Sequence, residues 1–414
     1  MLRTTRLIGT AAFGMLLGAI GCHNEELFTP STFLNRDPLF DRYVSMGNSI
    51  TAGYQSDGIN DSTQLQSYAV LLSRQMATPF FVPLMNKPGC APPIDTVFRA
   101  SGVPHRLGGG TSTTCALRET QAVPPPYLNN VAVPGASVLD GTTNLDPAAH
   151  PNIYTTFFLG GLTQTQMMKI VDPTFVTVWL GNNDVLGAAT NAANAGDSTK
   201  ITDTLTFAAR YTAVLDSIDQ TRARGGVLIG VGNVTLIPFF SKGSTYFGIK
   251  NPPPPNPSPF PSNFYVDNTC APLALGGVGD SVLVPFRFGL GLVGLAQANP
   301  GIQDTLHCTE PQVVVAAELR KLATTVAAYN RFIAAQAAAR GYASFDPNAL
   351  YTALPPGAIP SFPTTTGASA VTAPFGNYFS RDGVHPSALA HKLVANTLIG
   401  VINAKYGTRL VPIP

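Results

Sequence analysis

Two short segments, far apart in the chain, carry side chains suited to acyl transfer. In Asp382-Gly383-Val384-His385 a carboxylate stands three residues before a histidine, with a glycine between them that permits a turn. A carboxylate folded back onto Nδ1 of His385 would fix the imidazole tautomer and leave Nε2 to act as general base. Ser49 lies between Gly47 and Gly53, where small residues let a carbonyl approach its hydroxyl closely. The pattern predicts Ser49 as nucleophile, His385 as base and Asp382 as the group that orients the base.

Two further segments offer hydrogen-bond donors for an oxyanion. Gly181-Asn182-Asn183-Asp184 follows a strongly apolar stretch, and a neutral amide such as that of Asn183 donates without titrating. Gly135 follows a second stretch and presents an unobstructed N–H. Each of these motifs also occurs as an ordinary turn, so no single one establishes a function.

The elements that must position these residues alternate between strand and helix. Apolar and β-branched runs predict strands at 41–46, 130–133, 175–180, 227–231 and 342–345. Helical spacing of apolar residues predicts helices at 67–76, 205–224, 311–340 and 386–404, with Gly225-Gly226 ending the second. This alternation predicts an α/β fold with a parallel sheet covered on both faces. Ser49, Gly135 and Asn183 each follow a predicted strand, so we expect them at the carboxyl edge of the sheet, where ligands bind.

Two long segments interrupt the alternation. Residues 80–127 are rich in proline and glycine, and 236–310 contain a proline-rich run and an apolar stretch at 282–295. We interpret both as loop insertions. The apolar stretch is too short and interrupted for a membrane span, and is either ordinary core or a wall or lid over the acyl site.

The charge balance argues against a nucleic-acid partner. Charged residues make up 12% of the chain and the formal net charge is +2, so no basic stripe is available to neutralise phosphates.

The N-terminus has the features of an export signal. Arg3 and Arg6 precede a short apolar run that ends in Ala19-Ile20-Gly21-Cys22, which resembles a bacterial lipobox in which the cysteine is lipidated. The resemblance implies a signal peptide at 1–21, a tether at 22–38 and a membrane anchor on Cys22. Simple secretion and an uncleaved anchor are the alternatives. His23, rather than aspartate, after the cysteine implies sorting to the outer membrane.

The remaining cysteines fit an exported protein. Cys90, Cys115, Cys270 and Cys308 form an even set with three possible pairings, and their spacings do not resemble zinc ligand pairs. We expect Cys90–Cys115 and Cys270–Cys308, because each pair brackets one insertion; four free buried thiols are the alternative.

Together the four chemical segments resemble, in identity and order, the conserved blocks of the SGNH/GDSL hydrolase superfamily. Gly47-Asn48-Ser49-Ile50 resembles its Gly-Asp-Ser-Leu block, 130–135 its glycine block, Gly181 to Asp184 its Gly-x-Asn-Asp block, and Asp382 to His385 its terminal block. Asn48 and Ile50 depart from the usual aspartate and leucine. The resemblance implies a flavodoxin-like αβα sandwich over 39–406, followed by a tail at 407–414. It also implies an oxyanion hole formed by the N–H groups of Ser49 and Gly135 and the side chain of Asn183.

The expected activity is hydrolysis of carboxylic esters through an acyl-enzyme, with no metal or cofactor. Acyl lipids and acetylated sugars are both possible substrates, and the apolar stretch at 282–295 favours lipid-like esters. Two alternatives use the same scaffold: acyl transfer to a sugar or alcohol, and a surface lipoprotein that binds ligands without turnover.

Overall fold

A parallel sheet lies at the centre of the computed structural model, which describes residues 37–99, 103–109, 127–143 and 153–414. The strands in chain order are β1 (Tyr43–Gly47), β2 (Ile94–Thr96), β3 (His105–Arg106), β4 (Phe175–Trp179), β5 (Gly225–Ile229), β6 (Phe240–Lys242), β7 (Phe264–Val266), β8 (Leu283–Pro285), β9 (Asp304–Leu306) and β10 (Ala343–Phe345). The central sheet has the order β1-β4-β5-β10, and all its pairs are parallel. Every residue of β1, β4 and β5 is buried, as expected for strands covered on both faces. The predicted α/β class with a parallel sheet is confirmed.

The segment that the sequence predicts as a strand at 130–133 runs along the outer side of β1. Only one bridge, between Ser45 and Asn130, has strand geometry. Hydrogen bonds from Val131 N to Ser45 O (3.0 Å) and from Val133 N to Gly47 O (3.1 Å) continue the alignment. The segment therefore lies parallel to β1 on its outer side. It ends at the edge of the sheet, just before Gly135.

Helices cover the two faces of the sheet. Their bounds are α1 (Ser49–Ala52), α2 (Asp61–Gln64), α3 (Tyr68–Gln75), α4 (Ile153–Leu159), α5 (Gln164–Val171), α6 (Asn183–Ala189), α7 (Thr204–Asp219), α8 (Gly243–Lys250), α9 (Phe286–Ala298), α10 (Ala316–Ala339), α11 (Asn348–Ala353), α12 (Gly367–Thr372) and α13 (Ala388–Tyr406). On one face α3 and α13 pack together, with α13 against β5 and β10. On the other face α5 contacts β1, α10 contacts β5 and β10, and α7 packs between α5 and α10. Residues from Asp37 to Pro414 form one compact unit.

The helix predicted at 205–224 ends earlier than expected. The observed α7 ends at Asp219, and Gly225-Gly226 are the first residues of β5 rather than a helix stop. A Cβ on Gly226 would lie 2.8 Å from Cγ2 of Val176, and one on Gly225 would lie 3.0 Å from the ring of Tyr406. Close packing inside the sheet layers therefore leaves no room for a side chain at Gly226 and little at Gly225.

The predicted loop at 236–310 contains regular structure and a hydrophobic core of its own. The pairs β6–β8 and β7–β9 and the helices α8 and α9 enclose a cluster of buried apolar residues. A disulfide joins Cys270 and Cys308 within this cluster, as predicted, with the Cα atoms 5.0 Å apart. Residues 282–295 contribute β8 and most of α9, so the apolar stretch is largely core of the insertion.

The first insertion is described only in part. Its β2 and β3 form an antiparallel ribbon, and Cys90 is disulfide-bonded. Cys115, Cys22 and the predicted signal peptide lie outside the described residues. Among the described residues, no helix is long and apolar enough to cross a membrane.

Candidate active site

Ser49, His385 and Asp382 form a continuous hydrogen-bonded chain. Nε2 of His385 lies 2.9 Å from Oγ of Ser49, and Nδ1 lies 2.8 Å from Oδ2 of Asp382. Ser49 and Asp382 are buried, and His385 is partly buried. The fold thus brings these three side chains together, although Ser49 and His385 are 336 positions apart in the sequence.

A sharp strand-to-helix turn presents Ser49. β1 ends at Gly47, Asn48 caps α1 with its Oδ1 accepting from Ile50 N at 3.1 Å, and Ser49 is the first helical residue. A Cβ on Gly47 would lie 2.2 Å from Oγ1 of Thr51, so only glycine fits there. Gly53 ends α1 at φ 88°. Asn48 therefore supplies the helix cap at a position where the resembled block has aspartate.

The carboxylate of Asp382 accepts hydrogen bonds on both oxygens. Oδ1 accepts from the N–H groups of Val384 and His385, each at 2.8 Å, and from Oγ of Ser380 at 3.1 Å. Oδ2 accepts from Nδ1 of His385 and from the N–H of Asp57 at 2.7 Å. Burial raises the pKa of Asp382, but the neighbouring charge and hydrogen bonds of His385 outweigh it and hold that pKa well below its usual range. Asp382 is thus an anion that fixes the orientation of His385.

The loop that carries His385 differs slightly from the sequence prediction. α13 begins at Ala388, with Ser387 as its cap, so Pro386 precedes the helix instead of lying in its first turn. The turn at Gly383 has the expected left-handed conformation, with φ 71°. His391, inside α13, is fully buried, its Nδ1 accepts from Tyr68 N at 3.3 Å, and burial lowers its pKa to about 3. His391 is therefore a packing residue.

Gly135 and Asn183 lie at the same edge of the sheet as Ser49. Gly135 follows the segment along β1 and has φ 81°, and Asn183 begins α6 directly after β4. The backbone N–H groups of Ser49 and Gly135 donate to no other described residue. Nδ2 of Asn183 donates to Ala136 O at 2.8 Å, which ties the glycine segment to α6. Ser49 and Asn183 line the same pocket, and the hydrogen bond from Asn183 to Ala136 holds the glycine segment next to it.

An apolar pocket opens beside Ser49 between the sheet edge and α13. It encloses about 890 Å³ of empty space, counting its open mouth. Ser49, His385, Asn182 and Asn183 line one part of it, and the remaining wall is largely apolar. That wall includes Ile50, Leu186, Val234, Ile237, Leu350, Leu354, Phe379, Val384, Leu393 and Val394. None of residues 282–295 lines this pocket, so the expectation that they form a wall over Ser49 is wrong: they are core residues, packed partly inside the insertion and partly, through Phe286, against the main core.

The residues that surround His385 and Asp382 are not predictable from sequence pattern. Tyr54 packs against the His385 ring, with ring centroids 4.9 Å apart, and Asp57 reaches Asp382. Arg106, from the first insertion, donates to Asp57. No local sequence pattern predicts these contacts, because each joins segments that are distant along the chain. Within the described ranges, no group of three or more histidine, cysteine, aspartate or glutamate side chains could hold a metal ion.

Comparison with known proteins gives structural likeness only. No protein-family model matches the chain, and no curated protein matches it by sequence. Among solved structures it is similar to variants of the acetylxylan esterase Axe2 from Geobacillus stearothermophilus. One is 12% identical over 90% of this chain and 97% of that one, with a TM-score of 0.36. A catalytic mutant is 11% identical over 90% and 96%, with a TM-score of 0.37. Likeness at this level does not assign an activity to this chain.

Proposed function

We propose that this protein is a serine hydrolase of carboxylic esters, with the acyl group carried on Ser49 between two half-reactions. The observation that carries the proposal is the hydrogen-bonded chain Ser49–His385–Asp382, with distances of 2.9 and 2.8 Å. Such a chain is a nucleophile within reach of a base that a buried anion orients.

The proposed reaction uses these side chains and water. Oγ of Ser49 attacks the ester carbonyl while Nε2 of His385 takes the hydroxyl proton, and Asp382 stabilises the imidazolium that forms. The oxyanion accepts hydrogen bonds from the N–H groups of Ser49 and Gly135 and from the Asn183 amide. His385 then returns the proton to the leaving alcohol. A water activated by the same histidine hydrolyses the acyl-enzyme.

We assign the fold to the flavodoxin-like sandwich of SGNH hydrolases. Counting the segment beside β1 as the second strand in sequence, the sheet order becomes second, first, third, fourth, fifth, which is the flavodoxin-like order. The four sequence blocks and their meeting at one sheet edge support this assignment.

The apolar wall of the pocket favours esters with an apolar acyl chain. A chain attached to Ser49 and directed toward Leu350 and Leu393 would be removed from water, at roughly 0.8 kcal/mol for each buried CH₂. An acetyl group would leave most of this wall uncovered. We therefore place acyl chains of medium length or longer ahead of acetylated sugars as substrates.

Hydrolysis of p-nitrophenyl esters of graded chain length tests the proposal, with Ser49→Ala as the control for the nucleophile. We expect kcat/KM to rise from acetate to octanoate and turnover to vanish in Ser49→Ala. Leu350→Trp should reduce octanoate turnover more than acetate turnover. Leu273→Trp, at a site that is 75% exposed, is the matched control. Activity that survives Ser49→Ala would reject the mechanism, and a flat chain-length profile would reject the acyl pocket.

Trp179 gives an independent measure of pocket occupancy. It is the single tryptophan of the chain, and it lines the pocket beside Asn182. Titration of Ser49→Ala with an intact octanoyl ester should therefore change the tryptophan fluorescence. Product analysis with added alcohols then separates hydrolysis from acyl transfer.

We further propose that the protein is exported and anchored through a lipid on Cys22. The Cys270–Cys308 disulfide supports an oxidising compartment. Metabolic labelling with a fatty acid should label the parent chain and leave Cys22→Ser unlabelled.

A further inference from the structure

A tight turn at Gln55–Gly58 lies against the orienting aspartate. Gln55 and Gly58 exchange two backbone hydrogen bonds, at 2.9 and 3.2 Å, so Ser56 and Asp57 are the two central residues of the turn. Both have left-handed backbone conformations, with φ 56° and 55°. This turn type normally has glycine, asparagine or aspartate at its centre, because most side chains disfavour that conformation, so Ser56 is the less usual of the two. Other contacts must therefore hold Ser56 and Asp57 in place.

The turn directs both of its central N–H groups toward Asp382. The N–H of Asp57 donates to Oδ2 of Asp382 at 2.7 Å, and this is the oxygen that accepts from Nδ1 of His385. The N–H of Ser56 donates to Oγ of Ser380 at 2.8 Å, and that hydroxyl donates to Oδ1 of Asp382 at 3.1 Å. The position of the carboxylate thus depends on the conformation of the turn.

The ribbon of the first insertion holds the turn from the other side. Nη1 of Arg106 donates to Asp57 O at 2.6 Å and to Pro92 O at 2.8 Å, and Nη2 donates to Oδ2 of Asp57 at 2.6 Å. The N–H of Ile94 donates to Ser56 O at 2.7 Å. The guanidinium of Arg106 is largely shielded from solvent, with 22% of the side chain exposed. Arg287 from the second insertion approaches the same carboxylate only at 3.5 Å and is 57% exposed.

We propose that Arg106 is a positioning residue for catalysis: it holds Asp57 in the left-handed turn, so that the N–H of Asp57 fixes Asp382 and, through it, His385. This inference rests on the proposed ester hydrolysis. It gives the first insertion a role in the rate of the chemical step, separate from any contact with substrate.

Arg106→Ala tests the proposal in the full chain. We expect kcat for p-nitrophenyl butyrate to fall about 10- to 100-fold, because a small misplacement of a catalytic group has effects of this size. KM should change little, since Arg106 is not among the residues that line the pocket. Arg106→Lys should recover part of the loss, because an ammonium can pair with Asp57 without making the paired donations of the guanidinium.

Arg222→Ala is the matched control. Arg222 forms the same kind of pair, with Asp172, whose backbone is also left-handed at φ 53°. Asp172 precedes β4 and Arg222 precedes β5, so the pair lies at the edge of the sheet opposite Ser49. Arg222→Ala should leave kcat unchanged.

A second substitution tests the turn itself. In the Arg106→Ala background, Asp57→Gly supplies a residue that adopts positive φ freely and keeps the backbone N–H. We expect the double variant to have a higher kcat than Arg106→Ala, and circular dichroism and thermal unfolding to show that each variant is folded. Should Arg106→Ala fail to fold, Arg106→Lys and the double variant carry the comparison.

Two results would overturn the inference. One is a folded Arg106→Ala variant with parental kcat, and the other is a double variant no better than Arg106→Ala. Ser49→Ala separates this failure from failure of the proposed function. If Ser49→Ala is inactive while Arg106→Ala has parental kcat, only the role of Arg106 is wrong.

Discussion

Replacement of Asp382 by asparagine keeps the shape of the side chain and removes its charge. In the structure the carboxylate accepts five hydrogen bonds: from Ser380, Val384 and the His385 N–H on Oδ1, and from His385 Nδ1 and Asp57 on Oδ2. An asparagine NH₂ placed at Oδ1 would face two backbone N–H groups. Placed at Oδ2, it would face the Asp57 N–H and would favour the His385 tautomer that cannot accept a proton from Ser49. The first orientation loses two hydrogen bonds, whereas the second loses one, from Asp57, and reverses the one with His385.

These losses set the expected magnitudes. Hydrogen bonds to a charged acceptor contribute about 1.5–3 kcal/mol each, so the free energy of unfolding should fall by about 1.5–3 kcal/mol in the second orientation and about 3–6 kcal/mol in the first. The wrong tautomer should lower kcat by about 10⁴-fold, the size of effect known for the same substitution in a serine protease.

The assay is p-nitrophenyl butyrate hydrolysis by the folded variant, with denaturant unfolding measured in parallel. Asp267→Asn is the control, because Asp267 pairs with His307 at 3.7 Å in a partly exposed position of the second insertion and does not line the pocket beside Ser49. Asp267→Asn should retain parental kcat. A folded Asp382→Asn variant that keeps more than about a tenth of parental kcat would refute the orienting role of Asp382.

Three further predictions test other parts of the site. Ser49→Ala and His385→Ala should each abolish turnover, and the double variant should be no worse than either one, because nucleophile and base act as a unit; additive losses in kcat would contradict this. Asn183→Ala should lower kcat about 10²–10³-fold with little change in KM, and an effect on KM alone would make Asn183 a binding residue. Burial raises the pKa of Asp184 to about 6. Protonated Asp184 therefore stabilises the folded state by about 3 kcal/mol at pH values below the pKa that this carboxyl has in the unfolded chain. This stabilisation is lost as the pH rises from that value through about 6. Asp184→Asn should lack this slope in unfolding free energy between pH 4 and 6, and an identical slope would assign it to other groups.

Several expectations from the sequence hold because they depend on short-range pattern. The apolar runs before Ser49 and Asn183 form the buried strands β1 and β4. A nearly continuous apolar run predicts such a strand because it supplies apolar side chains to both of its faces. The spacing of Asp382 and His385 around Gly383 became a closed hydrogen-bonded turn for the same local reason. The Cys270–Cys308 pairing followed from the segment that it brackets.

Other expectations failed where packing overrides local pattern. The glycines at 225 and 226 look like a helix stop, but they belong to β5, because they pair with Phe175 and Val176 of β4. The apolar stretch at 282–295 resembles a wall for an acyl chain, but it packs into the core of its own insertion and, at Phe286, into the main core. Apolarity shows that a segment will be buried, and the partner that buries it depends on the whole fold.

By itself, the sequence determined the alternation of strand and helix and placed Ser49, Asn183, Asp382 and His385 beside the ends of predicted elements. Only the tertiary structure decided how far Ser49 lies from His385, which walls form the pocket, and that Arg106 and Asp57 support Asp382. The contact between Asp57 and Asp382 spans 325 positions. The physical reason is that periodicity and turn preference act over a few residues, whereas hydrogen bonds between distant segments form only after the sheet and its helices have packed.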